Sequence, residues 1–198
     1  MVIGVIIMSS AKERILEAAS DLFSKKGYHA VSVREIAKRA DCSHTSIYVY
    51  FQDKSGLLEA LALPPLADLN EALSRISQET GLSNVERLVR MGEEYVSFGF
   101  KYHRLYEAFV TIEATRVDAE TKTSLNQERL EVFTTVQKAV EEVVDESPLD
   151  FSRILFYQLH GTVMTYAHTN EPIENIAQRV LPLVRLSINQ IVKGGKQK

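Results

Sequence analysis

From residue 10 onward the apolar positions of this 198-residue chain recur at spacings of three and four and nowhere alternate, so the pattern predicts a succession of helices. The first stripe is Ile15, Ala18, Ala19, Leu22 and Phe23, opened by Ser10 and Glu13 at capping-box spacing and closed at Gly27-Tyr28. A second, shorter stripe of Val33, Ile36, Ala37 and Ala40 follows another capping box, Ser32 and Glu35. Asp41, Cys42 and Ser43 then form a three-residue turn: Asp tolerates the left-handed conformation, and the Ser43 hydroxyl caps the next helix. That helix, His44–Phe51, has few aliphatic residues. Ile47 and Phe51, four apart, anchor it inward and leave His44, Thr45, Ser46, Tyr48 and Tyr50 to face outward.

Beyond this point the periods lengthen. Residues 53–80 have helical composition, but Pro64-Pro65 removes two backbone donors and is expected to kink or interrupt the helix. Ser83 and Glu86 are a third pair at capping-box spacing and open a helix to about Tyr102. Further helices are expected over about 105–116, 120–144, 148–168 and 172–192, with the closing GGKQK as a frayed tail. The chain is therefore expected to be all-α, with about nine helices in two domains. Residues 9–58 would be a three-helix helix-turn-helix unit and residues 59–198 a helical body. There is no internal repeat or low-complexity linker.

The outward face of 44–51 has the chemistry of a DNA reader. Hydroxyls, phenols and an imidazole suit phosphate oxygens and base edges, and a helix N-terminus adds backbone donors that favour negative charge. Ser43, His44, Thr45 and Ser46 would lie nearest the duplex. Tyr48 and Tyr50 flank them, and Lys54, just after the capping Asp53, would grip a phosphate from the side.

These residues resemble the tetracycline-repressor (TetR) family of bacterial transcription regulators, whose DNA domain carries a motif like S-V-x-E-I-A-x-x-A-x-x-S-x-x-x-I-Y-x-Y-F-x-x-K-x-x-L. The stretch SVREIAKRADCSHTSIYVYFQDKSGLL fits it at nearly every fixed position, and the resemblance covers about residues 10–61. It implies a DNA-binding role for Arg34 and Ser32 at the start of the supporting helix, Arg34 at a position where the family touches phosphate. Asp41 stands where the family usually has Gly, His44 where it often has Lys, and Val31 where Thr is common. None of these breaks the fold, although His44 replaces a permanent cation with an imidazole.

The net charge of −3 looks wrong for a DNA binder until it is divided along the chain. Residues 1–58 hold eight Lys and Arg against six Asp and Glu, while the remainder holds fifteen against twenty. A mildly basic reader on an acidic body makes the attraction local, drawn from Lys12, Lys25, Lys26, Arg34, Lys38, Arg39 and Lys54. The single cysteine, Cys42, cannot form an intramolecular disulfide, and no Cys/His cluster has metal-ligand spacing. No metal and no cofactor is expected, and a reducing cytoplasm fits. The opening MVIGVIIM is apolar but lacks the charged start and cleavage site of a secretory signal and is too short to span a membrane. Met8 leaves two translation starts open.

The body resembles the TetR subgroup with a WHG-type ligand domain. EYVSFGFKYHRLYEAFV and LFYQLHGTVMTYA stand where that subgroup has Y-x-x-F-x-x-x-x-P-x-L-Y-x-x-x-F and W-x-x-x-H-G, with His103 at the Pro and Tyr157 near the Trp. The resemblance implies an orthogonal helical bundle and a homodimer through the last two long helices. Ile154, Leu155, Gln158, Leu159 and Thr162 on one, and Val180, Leu183, Val184, Leu186, Ser187, Ile188 and Ile191 on the other, are suitable interface material. It also implies a pocket for a small, largely apolar effector, with Tyr95, Phe98, Tyr106, Phe109, Phe156, His160 and Met164 as candidate lining.

The expected function is then a ligand-responsive repressor that binds a palindromic operator in double-stranded DNA as a homodimer. A regulator with no small-molecule ligand, constitutive or controlled by a protein partner, is the alternative; a body without a cavity larger than a few waters would favour it. An enzyme is not expected. The chain has no G-x-S-x-G turn, phosphate loop or metal spacing, and helical bundles offer few backbone oxyanion donors.

Overall fold

The computed structural model describes residues 10–106 and 124–196. Within them the chain forms eight helices and no strand: α1 (Ala11–Lys26), α2 (Val33–Arg39), α3 (His44–Phe51), α4 (Lys54–Gln78), α5 (Asn84–Lys101), α6 (Ser124–Glu141), α7 (Pro148–Thr165) and α8 (Ile173–Gly194). A further helical turn occupies 103–106. The chain is all-α. It divides into two compact units, one ending at Ala62 and the other beginning at Leu63, within the span of α4.

In the first unit the capping boxes at Ser10/Glu13 and Ser32/Glu35 are both complete: each serine oxygen accepts from the glutamate backbone N–H, and each glutamate carboxylate accepts from the serine N–H. Such reciprocal bonds satisfy two orphan donors at once. Gly27, at φ 78°, stops α1 in a conformation that L side chains avoid. Asp41 takes the left-handed turn at φ 49°. Helices α1, α2 and α3 pack on one another. Ile15, Ala19, Phe23, Ile36 and Ile47 are all fully buried between them.

The second unit is built on α5, which packs against α6, α7 and α8. Glycines allow two of those approaches. A Cβ on Gly92 would collide with the Ile188 side chain of α8, and one on Gly99 with Val163 of α7. Arg185 of α8 ties the pair further, reaching Glu86 at 2.7 Å and Glu93 at 3.0 Å on α5.

Three expectations are corrected. Pro64-Pro65 does not interrupt the helix: both prolines lie inside a 25-residue α4. Leu57, Leu58 and Ala62 before them and Leu66, Leu69 and Leu73 after them are buried at helical spacing, so packing on both sides outweighs the lost donors. The third capping box forms only by half. Ser83 Oγ accepts from the Glu86 N–H at 3.1 Å, but the Glu86 carboxylate is held by Arg185 instead. Nor is the C-terminal segment frayed at its start. Gly195 is buried, and its carbonyl accepts from the Asp145 N–H at 2.9 Å. The helix expected over 105–116 falls, from residue 107 on, outside the described residues, as does the start of the one expected from 120.

Candidate nucleic-acid interface and body cavity

Helix α3 begins at Ser43, whose Oγ accepts from the Ser46 N–H at 3.1 Å and lies 2.7 Å from the Ser46 hydroxyl. Ile47 and Phe51 turn inward. His44, Thr45, Tyr48 and Tyr50 are exposed and Ser46 is half-buried. The His44 and Tyr48 rings meet edge to face with centroids 4.9 Å apart, which stiffens one margin of the exposed surface. Val49 is the most exposed large apolar side chain here, at 74%. It lies on the face opposite Ile47 and one turn beyond Thr45. Weighing only polar residues as DNA contacts overlooks it in the sequence. The helical offset from the two anchors is the signal that finds it.

The chain reverses sharply into α4. Gln52 sits at φ 63°, the Asp53 carboxylate accepts from the Gly56 N–H at 2.8 Å, and a Cβ on Gly56 would collide with the Phe51 carbonyl oxygen. The Lys54 ammonium lies 4.1 Å from the centre of the Tyr28 ring. Several basic residues of this unit are already paired: Lys25 and Arg39 with Asp21, and Lys26 with Glu35. The Glu35 carboxyl is pushed down to about 2, first by the Ser32 backbone N–H and then by Lys26 and the Ser32 hydroxyl. Ser32 thus spends its side chain on its own cap. Arg34 is exposed and makes no ion pair among the described residues.

In the second unit, Tyr95, Phe98, Tyr106, Phe156 and His160 line one cavity, together with Leu66, Leu69, Arg129 and Val132. Phe109 lies outside the described residues. Met164, half-buried, is not part of the lining. A chain of hydrogen bonds crosses the cavity wall: the Tyr95 and Tyr106 hydroxyls are 2.6 Å apart, and the Tyr106 hydroxyl is 3.0 Å from His160 Nδ1. Burial pushes the Tyr95 phenol up to about 12 and raises Tyr106 as well. Burial, with the Arg129 charge adding to it, lowers His160. All three are therefore neutral at pH 7. The two bonds run in one direction: from Tyr95 through Tyr106 to Nδ1 when the imidazole is protonated on Nε2, and from Nδ1–H through Tyr106 to Tyr95 in the other tautomer. The empty space is only about 30 Å³, room for roughly one or two waters.

The body surface carries unpartnered apolar side chains on α7 and α8. Ile154, Tyr157, Leu183 and Leu186 are each more than half exposed. By contrast Leu155, Leu159, Val180, Val184 and Ile188, read from sequence as interface material, are buried inside the unit's own core. Among the described residues no helix is long and apolar enough to cross a membrane.

A short helix, a tight turn and a second helix presenting an exposed polar face define a helix-turn-helix module. The family model for bacterial regulatory proteins of the tetR family matches residues 15–61, the span that holds this module. The chain is 33% identical over 129 residues to the probable HTH-type transcriptional regulator YttP of Bacillus subtilis (strain 168), covering 61% of this chain and 60% of that one. An uncharacterized HTH-type regulator of the same organism, YvkB, is 46% identical over 54 residues, 27% of this chain and 29% of that one. The chain thus spans less than two thirds of the length of either relative. Among solved structures, a TetR-like transcriptional regulator from Rhodococcus sp. RHA1 shares the fold with a TM-score of 0.66 at 22% identity, over 94% of this chain and 97% of that one.

Proposed function

We propose that this protein is a DNA-binding transcription regulator, acting in the cytoplasm as a homodimer on a near-palindromic operator and repressing the adjacent promoter. The observation that carries the reading is the exposed face of α3, where His44, Thr45, Tyr48, Val49 and Tyr50 stand out from a helix anchored by two buried side chains. Thr45 and Val49, farthest from the anchors, are suited to base edges, the Val49 methyls to a thymine methyl. Ser43, Ser46, Tyr48, Tyr50, Arg34 and Lys54 are suited to phosphates, with Ser32 supporting Arg34 through the cap. The exposed Ile154, Tyr157, Leu183 and Leu186 are material for a second copy, which would set two α3 helices in successive major grooves. No step in this reading is enzymatic.

The effector half of the proposal is a small, mainly apolar molecule that enters the body beside Tyr95, Phe98 and Phe156 and prefers the state that does not bind DNA. A second reading is favoured by one observation. A void of about 30 Å³ holds no organic ligand, as expected of a regulator that is constitutive or governed by a protein partner.

Selection of bound fragments from the source genome with the purified protein tests the first claim. Recovery of a palindromic site with half-sites one or two helical turns apart supports it, and purely sequence-indifferent binding overturns the specific-operator reading. Titrating the operator complex with compounds made or consumed by the neighbouring genes separates the two effector readings. Release by one of them supports the ligand, and no release by any supports the second reading.

A further inference from the structure

Lys54 is a cation with no carboxylate in salt-bridge range, Glu35 acting on it only through its more distant charge. Its ammonium makes no ion pair or hydrogen bond among the described residues, whereas Lys25, Lys26 and Arg39 of the same unit each hold a carboxylate. What fixes it is the Tyr28 ring, 4.1 Å below. That ring is itself held, with Phe23 5.2 Å away on α1 and His29 edge-on at 5.3 Å. Phe23 is fully buried, so the platform is rooted in the core. At the other end, the collision that any Cβ on Gly56 would make with the Phe51 carbonyl shows how closely the start of α4 sits on the end of α3.

An aromatic face covers one side of an ammonium and gives it no hydrogen bond, so its N–H groups remain for an acceptor on the other side. A free lysine must give up the freedom of its long, flexible stem to grip a phosphate. One already parked on a ring has lost most of that freedom beforehand. Burial also lowers the Lys54 ammonium from its ordinary value, a cost that a bound phosphate would offset. We propose that Tyr28 is a positioning residue of the DNA interface, its ring holding the Lys54 ammonium ready for a backbone phosphate at the flank of α3. This rests on the DNA-binding reading above, and it adds a residue that lies outside the helix-turn-helix.

The test is the salt dependence of binding to a short mixed-sequence DNA duplex, followed by fluorescence anisotropy. Lys54→Gln should flatten the slope of log K against log salt by about 0.9 for each phosphate that Lys54 neutralises. Tyr28→Leu should weaken binding roughly two- to five-fold, the size of a cation–π interaction. Tyr28→Phe should restore the parent affinity, and Tyr28→Leu should add nothing in the Lys54→Gln background. A Tyr28→Leu protein that folds and binds like the parent, or that is weakened just as much when Lys54 is absent, overturns the proposal while leaving the DNA reading intact. A parent that binds no duplex overturns both. If Tyr28→Leu does not fold, the parent still decides by NMR: the Lys54 ε-methylene protons should be shifted upfield by the ring with and without duplex. Unshifted protons overturn the proposal.

Discussion

Ile188 of α8 lies directly on Gly92 of α5, so closely that a Cβ at the glycine would strike the isoleucine δ-carbon. Ile188 is fully buried, inside the protomer rather than at its surface. Glu in its place would put an unpaired carboxylate against Leu159 and Val184, the other side chains around Gly92. Breaking a buried site in this way costs on the order of 3–5 kcal/mol, against a total of about 5–15 kcal/mol for a domain. Ile188→Glu should therefore lose most of its helical signal well below the parent's melting temperature. A parent-like melt monitored by circular dichroism would contradict the packing.

The same helix tests the proposed dimer. Leu183 and Leu186 are 60% and 56% exposed, so a charge there meets solvent in a lone protomer and a desolvated face in a pair. Leu183→Glu and Leu186→Glu should keep the protomer folded and lower the sedimentation coefficient to that of a monomer. Variants that sediment as the parent does would place the interface elsewhere.

What is legible in the sequence is local. Ser32 and Glu35 sit three apart, so their reciprocal bonds follow from helical geometry alone, and Asp41 and Gly27 announce their own backbone conformations. Glu86 has the same spacing from Ser83, but its carboxylate is taken by Arg185, 99 residues away, a partner that no local rule can name. The proline pair misleads for a related reason: its local cost is fixed, while the burial of Leu57, Leu58, Leu66 and Leu69 that offsets it is not. In α8 the period marks apolar positions but does not say which of them face the protomer's own α5 and which face outward. Hence Ile188 and Leu186 look alike in the sequence.

Acid should loosen the first unit through Glu35. Its folded carboxyl is depressed to about 2, below the ordinary 4.5 of the unfolded chain. The unfolded state therefore takes up a proton first, so the stabilisation is present above about pH 4.5 and is lost as pH falls toward 2. Glu35→Gln removes that dependence together with the bond to Lys26. The parent's melting temperature should approach that of the variant as pH drops from about 5 to about 3, and a constant gap between the two would contradict the assignment.

On α3, Tyr48 and Thr45 should separate affinity from specificity. Tyr48→Ala removes a half-exposed phenol suited to phosphate and the His44 stack, so binding should weaken about equally on all sequences. Thr45→Ala and Val49→Ala should instead change which half-site is selected, by about 1–3 kcal/mol at the base pair concerned. An unchanged selected site in both would move base readout to other residues.

The Tyr95–Tyr106–His160 chain makes a further distinction, between its middle and its end. Tyr106→Phe removes the oxygen that both neighbours use, leaving the fully buried Tyr95 hydroxyl and His160 Nδ1 without a partner. Each such loss costs about 1–3 kcal/mol. Tyr95→Phe removes only the terminal hydroxyl and leaves the Tyr106–His160 bond intact, so it should cost less. The double variant should then be more stable than the two single losses added together, because no polar group remains to be orphaned at Tyr95. Thermal melts of the three variants at pH 7 decide this. Strict additivity would mean that the hydroxyls do not act as one chain, and that the wall of this cavity is held by its aromatic packing alone.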